Sequence, residues 1–380
     1  MNAVAFVATS LATLWTALGT GATLWVTRPR RAPLEAPPPV TVLKPLAGAD
    51  ADLRANLEGF FLQDHPDFEI LFGVERADDP AIPVVRALID AHPGVAARLV
   101  VHGDAARGGK NPKVRNLRAM LPHARHDVVL VSDSNVRAPR DYVRLAALEL
   151  ARDPRVGLVT HLFVGSFASG ARPTLGAALE CVQLTGFCAS GAALPTLLGD
   201  AAVIGKSMMF SRTRFEAIGG LSRVADVLAE DYVIGKMFQH AGYRVVVGET
   251  ALEAISPPQP LEAFVARQLR WSMLRARLHP AAFALELVSS PLAMLPFAWA
   301  TLGPLALAWL AALLVLRDVV PWLRLKGARG IHAPLALGLA RDVLAIGIWC
   351  AAPFTSRVSW RGHRVRVGAG TLLFEERPAG

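Results

Sequence analysis

The run Val4–Val26 contains no charged residue. A helix needs about 20 apolar residues to cross the hydrocarbon core of a bilayer, and this run meets that length. The feature constrains everything else: whatever the rest of the chain folds into must be tethered at a membrane. The run is longer than the apolar core of a signal peptide, and no basic residue precedes it, so it reads as an uncleaved anchor over 1–27. Arg28, Arg30 and Arg31 follow at once. Basic residues beside a span stay in the cytoplasm, which places the N-terminus outside and the next domain inside. The Pro-rich segment 28–39 is then a stiff linker.

A second uncharged run, Leu287–Leu316, is interrupted by Pro291, Pro296 and Pro304, which predicts a kinked span. As one straight helix it would be about 45 Å long, too short for two full crossings. Ala333–Pro353 is apolar but contains Arg341 and Asp342, so it is a weaker span or one packed against protein. The C-terminal spans together occupy 283–355. If all three segments cross, the loop carrying Arg317, Arg324, Lys326 and Arg329 lies outside, against the positive-inside tendency. A re-entrant or interfacial segment removes that conflict. The tail 356–380, with Arg357, Arg361, His363, Arg364 and Arg366, suits anionic head groups.

Composition agrees. Of 380 residues, 53% are hydrophobic and 19% charged, below the roughly 25% charged of ordinary soluble domains. This excludes a disordered chain, a collagen-like fibre and a disulfide scaffold. The net charge of +9 is modest, and no basic patch is interleaved with stacking aromatics, so a nucleic-acid partner is not expected. Cys181, Cys188 and Cys350 match no zinc spacing and read as free thiols, with Cys181 and Cys188 spaced to share a helix face in the core.

Residues 40–256 read as an α/β domain. Short β-branched runs (Val40–Leu43, Phe68–Val74, Ala97–Val101, Val128–Val131, Val156–Thr160, Ala201–Ile204, Tyr243–Val247) alternate with amphipathic stretches such as Ala51–Gln63, Ala81–Ala91, Arg140–Arg152 and Ala229–Ala241. Alternation of this kind predicts a mainly parallel sheet covered on both faces, with ligands at the carboxyl ends of the strands. Chemistry-bearing residues stand at just those places. Asp78-Asp79 follows one strand and could accept hydrogen bonds from a nucleotide base or ribose; the alternative is a solvated Asp-Pro turn. Ser132-Asp133-Ser134-Asn135 follows another. Asp133 suits Mg2+ or Mn2+ held partly by substrate phosphates, with Asn135 as a neutral oxygen; the alternative is a cap or an Asx-turn. Glu230-Asp231 opens a helix, where the pair either complements the helix dipole or supplies a general base. Lys110 and Lys113 follow Gly108-Gly109 and could touch phosphates at a helix start, although the P-loop pattern is absent. In 257–282, Arg267 and Arg270 share a helical face and could clamp a diphosphate, with Trp271 at an interface or under a ring. A basic helix lying on anionic lipid is the alternative.

The ordered set Asp78-Asp79, Asp133, Asp231 and Arg267-Gln-Leu-Arg270-Trp271, with Lys44-Pro45-Leu46, Asn111-Pro112-Lys113, Asn116-Leu117 and Glu230-Asp231-Tyr232, resembles the ceramide glucosyltransferase family of membrane enzymes over about residues 40–280. The resemblance implies a GT-A nucleotide-sugar fold between N- and C-terminal transmembrane helices. It implies that Lys44, Asp78, Asp79, Lys113, Asn116 and Glu230 bind the donor, with Asp78 or Asp79 on the uridine. Asp133 and Asn135 would hold a divalent metal; many related enzymes carry a carboxylate where Asn135 stands. Asp231 would be the base, and Arg267, Arg270 and Trp271 would bind the diphosphate. The implied reaction is inverting transfer of a hexose from a UDP-sugar to a lipid hydroxyl. Bacterial hopanoid-biosynthesis glycosyltransferases look like the same family, so the acceptor is ceramide or a hopanoid polyol, with glucose or N-acetylglucosamine transferred. The Ala/Arg-rich composition suggests a GC-rich bacterial genome, hence a bacterial inner membrane with the catalytic domain in the cytoplasm. A processive polysaccharide synthase and a non-catalytic membrane binding protein are the competing classes.

Overall fold

A computed structural model describes residues 3–30, 36–50, 52–103, 108–200, 202–360 and 363–375, without the side chains of 357–360, 363–365, 369 and 375. Arg31, residues 32–35 of the expected linker, Ala201 and the side chains of Arg357, Arg361, His363 and Arg364 lie outside the described residues. The chain divides into two compact units. A mixed unit comprises Val26–Gly170 and Pro195–Pro257; a helical unit comprises Met1–Trp25, Ala171–Leu194 and Pro258–Gly380.

Among its described residues the mixed unit carries eight strands: β1 Val40–Pro45, β2 Phe68–Val74, β3 Ala96–Val101, β4 Val128–Ser132, β5 Val136–Arg137, β6 Val156–Phe167, β7 Ser207–Ser211 and β8 Arg244–Ser256. Their order is β3-β2-β1-β4-β7-β6-β8-β5. β1, β2, β3 and β4 run parallel, and β7 is antiparallel to both β4 and β6. A parallel strand buried on both faces needs an unbroken apolar run, and all six residues of β1 are buried. β1 sits between β2 and β4, so its carboxyl end lies at a switch in strand order, the ordinary place for a ligand crevice.

Two elements differ from the sequence reading. Described residues 202–204 form no strand; the strand begins at Ser207, after a turn in which Ser207 N donates to Ile204 O at 3.1 Å. β6 and β8 run far beyond the expected Val156–Thr160 and Tyr243–Val247, pairing in parallel as far as Phe167 and Ser256 with register shifts on the way.

Among the described residues four helices are long and apolar enough to cross a membrane: Ala3–Val26, Leu175–Leu198, Pro291–Lys326 and His332–Phe354. Leu175–Leu198 was not expected, because Glu180 and Gln183 disguise it inside the α/β stretch. It also interrupts the expected continuous 40–256 domain, since Ala171–Leu194 belongs to the helical unit. The exposed large side chains of the N-terminal helix (Val4, Phe6, Val7, Leu11, Leu14) form a surface that suits lipid rather than water.

The Pro291–Lys326 segment is not one straight rod. Gly303, at φ 57° and ψ −139°, ends the helix Pro291–Leu302. Arg317 Nη1 then donates to Ser289 O at 3.2 Å, which brings the two ends of the intervening segment together. Residues 290–316 therefore fold back on themselves as a helical hairpin. The returning arm runs parallel to the N-terminal helix. Trp309 Nε1 donates to Thr13 Oγ1 (2.9 Å), and Thr20 Oγ1 donates to Leu316 O (2.9 Å). Arg324 and Lys326 thus lie toward the C-terminal end of the N-terminal helix.

Four buried charges tie this unit together. Arg317 pairs with Asp318 (2.7 Å) and Asp342 (3.0 Å), and Arg341 pairs with Asp318 (3.2 Å) and Asp342 (3.0 Å). Two glycines make room for them. A Cβ at Gly186 would stand 2.7 Å from Asp318 Oδ1, and one at Gly338 3.1 Å from Asp318 Oδ2.

Candidate active site

The carboxyl end of β4 delivers Asp133, and the helix Glu230–His240 begins with Glu230 and Asp231. Lys113 joins them. Its Nζ lies 2.9 Å from Asp133 Oδ1 and 3.3 Å from Glu230 Oε1, and donates to Gly205 O at 2.7 Å. Gly205 N in turn donates to Asp231 Oδ2 at 2.7 Å. Residues about a hundred positions apart thus meet through one ammonium and one peptide unit. Burial by itself would lower the Lys113 pKa, but Asp133, Glu230 and Asp231 outweigh it and hold the ammonium above its ordinary value.

Burial pushes the Glu230 carboxyl up to about 7; Lys113 opposes the shift and Asp231 adds to it. Folded Glu230 therefore keeps a proton that an unfolded carboxyl, near 4.5, has already lost. Its contribution to stability is complete below 4.5 and is lost as pH rises through about 7. Glu230→Gln is expected to flatten the dependence of Tm on pH across that window. An unchanged slope would assign the titration to another group.

The segment Gly205-Lys206, read as lying beyond a strand end, proves central. Lys206 Nζ lies 2.7 Å from Asn135 Oδ1 and 3.9 Å from Asp133 Oδ2. A Cβ at Gly205 would stand 2.8 Å from Asp231 Oδ2, so Gly205→Ala must displace the carboxylate. Displacements of this size cost on the order of 10–100-fold in kcat, and circular dichroism should show the fold retained. Asn111 was also missed as a working residue. It caps the helix Pro112–Met120 through Oδ1, and its Nδ2 donates to Val227 O (2.7 Å) and Glu230 Oε2 (3.2 Å). Asn followed by Pro at the first helical position was the available signal. Behind the site, Ser207 Oγ meets Tyr142 OH (2.6 Å) and His161 Nδ1 (2.8 Å), which fixes the start of β7. Burial, with Arg30 second, drives the His161 pKa down to about 3, so the ring is neutral there.

Four residues expected on the donor make contacts within the protein. Lys44 is fully buried; its Nζ donates to Asp133 O (2.6 Å) and Ser132 Oγ (3.2 Å) and stands over the Phe60 ring. It positions the Asp133 backbone, and burial lowers its pKa well below the ordinary lysine value. Asn116 is buried, and its Nδ2 donates to Leu46 O (3.2 Å) and Gly73 O (2.8 Å), which ties the ends of β1 and β2 together. Asp78 is exposed and paired with Arg76 at 2.6 Å. Asp79 accepts from Gly48 N (3.0 Å) and Ala81 N (2.8 Å), so it holds the loop after β1 against the loop after β2.

Asp133 is the carboxylate with chemistry suited to a divalent ion, since Mg2+ sites commonly use one or two carboxylates and substrate phosphates. Its side chain is 28% exposed. Asn135 fits less well: its oxygen accepts from the Lys206 ammonium, and its Nδ2 donates to Ile255 O at 3.3 Å. Among the described residues no three His, Cys, Asp or Glu side chains are grouped for a metal. Arg267, Arg270 and Trp271 lie in the helical unit, on the helix Leu261–Leu278. Arg267 pairs with buried Glu180 at 3.0 Å, and Gln268 donates to the same carboxylate at 3.2 Å. Burial, and then Arg267, lower the Arg270 pKa.

Ceramide glucosyltransferase 1 of Caenorhabditis elegans is 30% identical over 249 residues, 66% of this chain and 52% of that protein. The chain thus spans about half the length of that relative. The ceramide glucosyltransferase of Gibberella zeae is 23% identical over 441 aligned positions, covering 86% of this chain and 83% of that one. Among solved structures, a mannosyltransferase from Pyrobaculum calidifontis in complex with GDP-Man and Mn2+ superposes with a TM-score of 0.50 at 22% identity. The match covers 91% of this chain and 98% of that one. The likeness is one of fold, and it agrees with the sheet order in identifying a GT-A arrangement. The profile of glycosyl transferase family 21 matches residues 2–373, so this chain, with apolar helices near both ends, belongs to that family.

Proposed function

We propose that the protein transfers glucose or N-acetylglucosamine from a UDP-sugar to a hydroxyl of a membrane lipid, with inversion at the anomeric carbon. The observation that carries this reading is the buried junction of Asp133, Glu230 and Asp231 around Lys113 at the ligand edge of the sheet. Asp231 takes the proton from the acceptor hydroxyl as that oxygen attacks. Gly205 N and the amide of Tyr232 hold its two oxygens, which fixes the carboxylate for the task. Lys113 and Lys206, both within 4 Å of Asp133, lay positive charge where a departing diphosphate would be held. Asp133 would hold a divalent ion together with the donor phosphates, and such an ion would supply further neutralisation of the leaving group. Glu230 and Asn111 keep Lys113 in place. Asp79 orients the loop that receives the base. The catalytic unit faces the cytoplasm of a bacterial inner membrane.

The test uses the full chain in lipid nanodiscs. UDP-[14C]glucose or UDP-[14C]N-acetylglucosamine is supplied with ceramide or a hydroxylated hopanoid, with Mn2+ or with EDTA. One of the pairs is expected to yield a labelled β-linked glycolipid, suppressed by EDTA. Absence of labelled lipid from every pair overturns the reading, and an α-linked product overturns inversion.

A further inference from the structure

Lys206 stands in a turn that the fold fastens on both sides. Ile204 N donates to Thr160 Oγ1 (3.1 Å), Ser207 N donates to Ile204 O (3.1 Å), and Asp133 N donates to Lys206 O (3.3 Å). The turn therefore delivers the Lys206 ammonium beside Asp133, with the side chain only 20% exposed. Its Nζ reaches Asn135 Oδ1 at 2.7 Å and stands 3.9 Å from Asp133 Oδ2. Lys113 takes the other oxygen, Asp133 Oδ1, at 2.9 Å. The two ammonium groups thus bracket the carboxylate best suited to a divalent ion, and the neutral oxygen two residues on already accepts from one of them.

The neighbouring carboxylates are engaged as well. Asp231 Oδ2 accepts from Gly205 N (2.7 Å) and Oδ1 from Tyr232 N (2.8 Å). Glu230 accepts from Asn111 Nδ2 (3.2 Å) and lies 3.3 Å from Lys113 Nζ. A bare Mg2+ or Mn2+ that reached Asp133 would meet the Lys113 and Lys206 ammonium groups within 4 Å of that carboxylate. Like charges so close repel strongly in a partly buried site. Hard cations held by one or two carboxylates draw their remaining oxygens from water and substrate phosphates. A diphosphate changes the balance twice over. Its oxygens ligate the ion, and they give Lys206 an anionic partner in place of Asn135, whose Oδ1 is then available.

We propose that Lys206, through Asn135, makes metal binding conditional on the nucleotide: the divalent ion and the diphosphate occupy the site together, and a bare ion is kept out. The choice of a uridine nucleotide rests on the proposed reaction; the exclusion of a bare ion by Lys206 does not.

The experiment titrates Mn2+ into the full chain in phosphatidylcholine nanodiscs and follows free Mn2+ by electron paramagnetic resonance, with and without UDP, against protein-free UDP blanks. In the native chain UDP is expected to tighten Mn2+ binding by about tenfold or more, and Mn2+ should tighten UDP binding by the same factor. Lys206→Gln keeps a donor for Asn135 and removes the charge. It should strengthen Mn2+ binding without UDP by about tenfold, as loss of one nearby positive charge requires. Lys206→Arg keeps the charge and should behave as the native chain. If Lys206→Gln fails to fold, Asn135→Asp decides, because its carboxylate neutralises the ammonium in place and should have the same effect. Mn2+ held equally well by the native chain with and without UDP overturns the proposal. So does bare Mn2+ affinity unmoved by both Lys206→Gln and Asn135→Asp, or a Lys206→Arg chain that behaves like Lys206→Gln. Mn2+ and UDP that bind as expected, without transfer to any lipid, sink the reaction and leave the role of Lys206 standing.

Discussion

Asp231→Asn should lower kcat by about 10²–10⁴-fold, the usual contribution of a positioned general base, while the Kd for UDP-sugar stays within error. The substitution is nearly isosteric. An Asn side-chain oxygen can still accept from Gly205 N, as the carboxylate does at 2.7 Å, so the local fold should survive. What disappears is the ability to accept the acceptor's proton. Single-turnover transfer measured beside isothermal titration of the donor separates the two effects. Should kcat hold while Glu230→Gln abolishes turnover, the base is Glu230, whose carboxyl titrates near neutrality. A loss of donor affinity equal to the loss of kcat would instead make Asp231 a binding group.

The second large effect belongs to the helical unit. Arg341→Leu leaves Asp318 and Asp342 sharing Arg317 alone, with one buried negative charge uncompensated. Breaking a buried ion pair by removing one partner costs about 3–5 kcal/mol, enough to unfold or aggregate most of the protein in detergent. Arg341→Leu combined with Asp342→Leu restores neutrality, because Arg317 and Asp318 remain paired at 2.7 Å. The double variant should recover much of the loss, read as Tm by tryptophan fluorescence and as monodispersity in size-exclusion chromatography. If it is as unstable as the single variant, packing around Arg341 rather than charge balance holds the helices together.

Much of the mixed unit was legible because parallel strands must be apolar throughout. Phe68–Val74 and the helix Ala81–Ala91 stand where periodicity placed them. The strand after Ile204 was misplaced because a short apolar run looks the same on either side of a turn, and the Gly205-Lys206 turn outweighed the β-branched residues before it. Leu175–Leu198 escaped notice because Glu180 and Gln183 break its apolar character, although both are satisfied inside the unit, by Arg267 and Arg341. Residue type pointed to Asp133, Glu230 and Asp231, but not to how they are held. Lys44 and Asn116 resemble ligand-binding residues in sequence, and only burial shows them bracing backbone. The capping role of Asn111 had a local signal in the Asn-Pro pair, whereas its bonds to Val227 and Glu230 and the role of Lys206 are set by long-range contacts that no local pattern records.

The paired π turns at Leu184–Cys188 and Val315–Val319 have a consequence for how this chain can vary in length. A π turn is an α-helix that has taken in one extra residue. Excising a single residue from Val315–Val319 would let the segment rewind as regular α-helix with its flanks nearly in register. Excising one from the regular helix before it would instead rotate everything after the cut by about 100° and swing Asp318 out of the gap left by Gly186 and Gly338. A single-residue deletion should therefore be better tolerated within these two five-residue stretches than in the regular helix around them, provided the residue removed is not one of the buried charges.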